Sequence, residues 1–161
     1  RGGNAPPPRL QLQRSAVIAV DTNVLVAAHR EDAPGNAAAL RALRELAESR
    51  ASWAIPWPCL HEFFSVVTHP RVFAPPSTPE VGIAAVEALV ALPQCRLLSE
   101  TDDHARILSG LISAAPVRGP KVHDARIAAI CLGHGVSELW TADRDFSYFP
   151  ALRTRNPLVG G

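Results

Sequence analysis

Five apolar residues in a row, Ala16-Val17-Ile18-Ala19-Val20, stop abruptly at Asp21. An apolar, β-branched run without polar alternation marks a strand covered on both faces, the kind found in parallel sheets packed between helices. This segment therefore requires helical layers around it, and the chain supplies them. Helices are expected over residues 23–28, 35–50, 58–68, 78–92, 101–115 and 122–132, with shorter strands over 53–55, 96–98, 137–141 and 152–154. In 35–50, Leu40, Leu43 and Leu46 fall at helical spacing while Arg41, Arg44, Glu45 and Glu48 turn to water. Pro58 suits the first turn of its helix, Ser77 or Thr78 caps the next, and four prolines between His69 and Pro79 exclude regular structure there. Alternating strands and helices argue for an α/β layered domain with a mostly parallel central sheet. In such sheets ligands gather beyond the carboxyl ends of the strands.

Composition narrows the class. Sixteen basic residues against fifteen acidic ones, a net charge of +1 and 47% apolar residues exclude a histone-like polycation and an acidic disordered chain. No apolar run approaches the ~18 residues of a membrane span, and residues 81–92 are interrupted by Gly82 and Glu87. Three cysteines (59, 95 and 131) with no C-x-x-C pair fit neither a disulfide framework nor a structural zinc site, and they read as core filler. The expectation is one cytoplasmic domain over residues 16–161 preceded by a poorly ordered tail at 1–15. No membrane association is expected.

Acidic residues stand where this architecture gathers ligands. Asp21 follows the first strand, and Asp143 follows Leu139-Trp140-Thr141, with Asp145 two residues on. Each alone could merely cap a helix or turn the chain. Glu62 sits at the border between the polar stripe of its helix (His61, Ser65) and the apolar arc (Cys59, Val66), where an uncompensated carboxylate is costly. Asp124 shares a helix face with Ile127, Ala128 and Cys131, which aims it inward. Carboxylates converging at one sheet edge repel one another, and a hard divalent cation such as Mg²⁺ or Mn²⁺ is their natural counter-charge. Such an ion activates water for attack on a phosphodiester.

Asp21-Thr22-Asn23 after the first strand, Glu62, Val122-His123-Asp124-Ala125 and Thr141-Ala142-Asp143-Arg144-Asp145-Phe146 together resemble the PIN-domain ribonucleases, in particular the VapC toxins of bacterial toxin–antitoxin pairs. The likeness runs over residues 16–158, and the closing Phe149-Pro150 and Asn156-Pro157-Leu158 resemble one branch of the family. It implies an α/β/α sandwich and one or two bound Mg²⁺ or Mn²⁺ ions. It also implies endonucleolytic RNA cleavage leaving 5′-phosphate and 3′-hydroxyl ends. Carried over by position, Asp21, Glu62, Asp124 and Asp143 form the catalytic and metal-binding quartet, with Asp145 as an additional metal ligand. Asn23 and Thr141 stand as groups that orient the carboxylates. The resemblance further implies a cognate antitoxin whose tail enters the acidic groove, and a homodimer.

Setting the five site acids aside leaves ten acids against sixteen bases, a positive balance that suits an RNA substrate. Arg118, Lys121 and Arg144 are the nearest candidates for phosphate contacts, with Arg30 and Arg71 as weaker ones. Trp53 and Trp57 could stack a base or serve as core. Two alternatives stand beside the nuclease. A haloacid-dehalogenase-like phosphatase also places Asp after its first strand but needs a second Asp where Asn23 stands. A catalytically idle PIN module would bind protein or RNA without cutting.

Overall fold

In this computed structural model, which describes residues 16–160, the buried run becomes β1 (Ile18–Val20), the middle strand of a five-stranded sheet. The expected N-terminal tail, residues 1–15, lies outside the described residues. β1 leads into α1 (Thr22–His29) and α2 (Asn36–Glu48), and β2 (Trp53–Pro56) leads into α3 (Trp57–Val67) and α4 (Pro79–Val90). β3 (Cys95–Leu98) is followed by α5 (His104–Ala114) and α6 (Val122–Gly133), then β4 (Glu138–Trp140) and β5 (Thr154–Arg155).

The strand order is β3-β2-β1-β4-β5, and every pairing is parallel. The expected α/β class is correct, and the sheet is wholly rather than mostly parallel. Ile18 stands beside Trp53 on one side and Glu138 on the other. Right-handed crossovers place α1–α4 over one face and α5–α6 over the other; α1 packs on α2 and α3, and α5 packs on α6.

The strand order decides where a ligand can sit. From β1 the chain builds outward to β2 and β3, then returns across to lay β4 on the opposite flank of β1. Connections leave β1 and β4 toward opposite faces, which opens a crevice at their carboxyl ends. Asp21 and Thr141 are the first residues beyond those ends.

Both α1 and α4 start as physical chemistry requires. The Asp21 carboxylate accepts from the Thr22 amide and caps α1, and Thr78 accepts from the Val81 amide to cap α4. The α6 face carrying Ala125, Ala128 and Cys131 is fully buried under the sheet. Trp53 is buried and its indole donates to the Pro93 carbonyl (2.9 Å), so it is core and not a stacking platform; Trp57 is exposed beside His61. Cys59 and Cys131 are buried free thiols.

Several local expectations shift. α5 begins at His104 rather than at Thr101 or Asp102, because the His104 amide first closes a turn onto the Thr101 carbonyl. The last strand starts at Thr154, since Leu152 is drawn into the core. Leu40 does not follow Leu43 and Leu46 inward but stays 44% exposed. A 3-10 turn over Arg144–Tyr148 was not predicted; Asp143 Oδ1 accepts from the Asp145 amide (2.8 Å) and the buried Phe146 and Phe149 rings anchor it edge to face.

Candidate functional site

The crevice between β1 and β4 is closed by one polar knot. Thr141 Oγ1 donates to Asp21 Oδ2 (2.8 Å) while accepting from the Asn23 side-chain amide (3.1 Å) and from the Asp143 backbone amide (3.0 Å). Asn23 also donates to Asp21 Oδ2 (3.0 Å), and its carbonyl oxygen accepts from the Ala142 amide (2.9 Å). Asn23 and Thr141 thus tie the ends of two adjacent strands and fix Asp21 between them. The Asn23 amide is fully engaged in this brace and no acid stands there, which removes the basis of the phosphatase alternative.

Asp21 is buried, and burial pushes its carboxyl above the usual range, against the opposing hydrogen bonds from Thr141, Thr22 and the Cys59 thiol. That thiol lies 3.4 Å from Asp21 Oδ1. Cys59 is therefore not inert filler: its thiol adds a second donor to Oδ1, which also accepts from the Thr22 amide. Nothing in the sequence marks it, because residue spacing does not reveal what faces residue 21 from α3.

Asp21, Glu62, Asp124 and Asp143 all line a single cavity of about 580 Å³. Carboxylate oxygens of Asp124 and Asp143 lie within 4.8 Å of one another and of one from Asp145, which is not part of the cavity lining. Asp21 and Glu62 border this triad rather than joining its tightest cluster. Glu62 differs from the expectation of a half-lodged charge. It is exposed, and its Oε2 accepts from the Thr22 hydroxyl (3.0 Å), leaving Oε1 without a hydrogen-bond partner among the described residues.

Asp124 shows most directly what the site lacks. Its carboxyl is pushed up to about 6, first by burial and then by the negative charges of Asp143, Asp21 and Asp145, with only Lys121 opposing them. Among the described residues no arginine or lysine pairs with Asp21, Glu62, Asp124 or Asp143. A pocket of acids without counter-charge and with free oxygen lone pairs fits a hard divalent cation, which takes carboxylate oxygens and keeps part of its water.

The basic residues are placed less as expected. Lys121 is not free to meet phosphate: its Nζ sits 2.9 Å from Asp145 Oδ2 and 4.1 Å over the Tyr148 ring. The 3-10 turn that carries Asp145 and Tyr148 brings both onto it, and that turn is what the sequence concealed. Arg118 and Arg144 are exposed and make no ion pair among the described residues. Arg30 is held by both oxygens of Asp32 (2.7 and 2.8 Å) and covers the Phe73 ring at 4.3 Å. Glu62 and Asp124 also line a second, adjoining cavity of about 510 Å³ with His61, Ser65 and His123, so the acid cluster stands between two openings.

Comparison with known proteins agrees with this geometry. The PIN domain family model matches residues 18–152. The VapC ribonuclease Mb2897 of Mycobacterium bovis is 37% identical over 144 residues, covering 89% of this chain and 97% of that protein. Among solved structures, VapBC2 from Rickettsia felis bound to a promoter DNA fragment superposes with a TM-score of 0.66 at 17% identity, over 87% of this chain and 98% of that one. A toxin–antitoxin complex from Klebsiella pneumoniae gives 0.57 at 19% identity, over 89% and 98%. At those identities the solved structures speak for the fold. No helix among the described residues is long and apolar enough to cross a membrane. With the family pattern running from β1 past the Phe146–Phe149 anchor, and a ribonuclease aligned along nearly its whole length, this chain belongs to the PIN-domain family as a VapC-type ribonuclease toxin.

Proposed function

We propose that the chain is a Mg²⁺- or Mn²⁺-dependent endoribonuclease in which Asp21, Glu62, Asp124 and Asp143, assisted by Asp145, hold the metal and the attacking water. The observation that carries this reading is the acid-lined cavity in which Asp124 is pushed up to about 6 and forms no ion pair among the described residues. Asp124 and Asp143 are the direct ligands, since their oxygens converge with that of Asp145. Asp21, held by Thr141 and Asn23, presents its charge from the buried wall of the cavity. A bound ion supplies Lewis acidity, lowering the pKa of water and neutralising charge on the phosphate. Glu62, whose Oε2 accepts from Thr22, takes a proton through its other oxygen from the water as it attacks phosphorus. Attack breaks the bond from phosphorus to the 3′-oxygen, leaving 5′-phosphate and 3′-hydroxyl ends.

The partners follow the same reading. A cognate antitoxin restrains the enzyme by placing a cationic side chain among the acids. The chain pairs as a homodimer and works in the cytoplasm. The R. felis structure, VapBC2 on promoter DNA, and the K. pneumoniae toxin–antitoxin complex support the antitoxin. The test is cleavage of end-labelled structured RNA with Mg²⁺, with Mn²⁺ and with excess chelator. Cleavage is expected only with metal and to fall at least 100-fold in Asp21→Asn and Asp143→Asn; cutting that survives chelator or either substitution unchanged refutes the proposal.

A further inference from the structure

The cavity is much larger than its metal requires. A six-coordinate ion with its water would fill roughly 200 Å³, taking about 30 Å³ per water, whereas the cavity measures about 580 Å³. The remaining wall is apolar: Val26, Pro34, Val66, Phe73 and Leu158 line it together with the acids. Charged ligands have nothing to bind on that side, and an ion gains nothing from it.

The wall is rigidly built at its aromatic end. Phe73 is half-buried and packs against the core. Its amide donates to the His69 carbonyl (3.2 Å), and the Ser77 amide donates to the Val67 carbonyl (2.8 Å), so the proline-rich loop is pinned on both sides of it. The Arg30 guanidinium lies 4.3 Å over the ring. It is itself clamped by both oxygens of Asp32 and by the Pro75 carbonyl (3.1 Å). Arg30 borders a different opening, with Asp32 and Ser77, so it backs the ring from outside the acid cavity. An aromatic residue braced from behind at the rim of a cavity is preorganised for stacking, and little side-chain entropy remains to be lost when a flat ring arrives. Leu158 lines the same cavity, seated against the tight left-handed turn at Gly35.

We infer that this apolar end is a nucleobase subsite, and that Phe73 stacks an unpaired base of the RNA next to the phosphate held by the acids. The inference rests on the ribonuclease reading above and adds a recognition element to it. A base is flat, uncharged and covalently tied to the phosphate, which matches an apolar slot continuous with a metal-binding one. The second cavity, beyond Glu62 and Asp124, gives the strand an exit on the other side of the cluster. Duplex RNA keeps its bases stacked inside the helix and cannot present one to Phe73, so the geometry selects single-stranded or looped segments.

The experiment uses a heptaribonucleotide carrying one 2-aminopurine at its centre, bound to the full chain in Ca²⁺ and followed by fluorescence and anisotropy. Stacking quenches the probe. Wild type is expected to bind and quench it, Phe73→Ala to bind roughly 10-fold more weakly, the order that loss of one base–aromatic stack costs, with the quench lost. Phe73→Tyr restores both, which separates stacking from loop collapse, and circular dichroism confirms that each variant is folded. Phe73→Ala that quenches and binds like wild type overturns the subsite. So does Phe73→Ala that leaves RNA binding intact but weakens capture of a protein inhibitor, which would give the apolar wall to a protein. Wild type that quenches the probe but cuts no RNA with Mg²⁺ or Mn²⁺ refutes the nuclease reading and leaves the base subsite standing.

Discussion

Replacing Asp124 by Asn should stabilise the metal-free protein while destroying its response to metal. Asp124 pairs with no cation and makes no hydrogen bond among the described residues, while burial and the charges of Asp143, Asp21 and Asp145 push its carboxyl from 3.8 to about 6. Fully shielded, a rise of that size would cost about 3 kcal/mol of folding free energy at neutral pH. The side chain retains access to water, which screens the repulsion, so about 1–1.5 kcal/mol is the expected share. The folded state holds this proton more tightly than the unfolded chain. Stability contributed by protonated Asp124 is therefore complete below about pH 4, declines as pH rises through 6, and is absent above. Asn abolishes that decline. In chelator at pH 8 the variant should melt about 3–5 °C higher than wild type, and at pH 4 the two should coincide. Millimolar Mn²⁺ should raise the wild-type melting temperature, because binding to the folded state alone adds stability, and should leave the variant nearly unmoved. Differential scanning fluorimetry across pH with and without Mn²⁺ reads all four conditions. A variant that melts lower than wild type in chelator at pH 8, or one whose advantage persists at pH 4, would refute the argument that the acids repel one another for want of a cation.

Two other perturbations probe the frame of the site. Thr141→Val removes the hydroxyl that donates to Asp21 and accepts from Asn23 and the Asp143 amide. Leaving these buried groups without a partner should cost about 2 kcal/mol, seen as a lower denaturation midpoint at unchanged m-value, together with a kcat loss greater than the change in KM. Unaltered stability would mean that water replaces the hydroxyl and that the brace is not structural. Lys121→Gln removes the cation on Asp145 and returns a full negative charge to the acid cluster. Mn²⁺ should then bind about five-fold more tightly in calorimetry, the scale of one unit charge acting at short range near water; weaker binding would make Lys121 part of the metal site rather than its competitor.

Much of the scaffold could be read from local pattern. The β-branched run before Asp21, the capping threonine before Pro79 and the inward face of Asp124, Ile127, Ala128 and Cys131 are consequences of spacing, and each is where that spacing places it. The acids after β1 and β4 were legible as candidates for the same reason. Lys121 was not. Its partner Asp145 and the Tyr148 ring reach it only through a 3-10 turn that no periodicity announces. Glu62 was judged from the composition of its own helix, yet its exposure and its partner depend on Thr22 from another element. The Arg30–Phe73 pair joins residues from two loops, whose conformations carry no repeat to read.

The sequence by itself determined the order of the main helices and strands, most of their apolar faces and which carboxylates end strands, because these depend on the covalent period of the chain. Only the tertiary structure decided that β4 returns to the far side of β1, and that step creates the crevice. It also decided which charges share one poorly hydrated space. Electrostatic energy depends on separation in three dimensions and on access to water, and neither is a property of position along the chain. An aspartate that would be an ordinary helix acid in isolation thus becomes, beside Asp143 and Asp145, a group that keeps its proton until about pH 6.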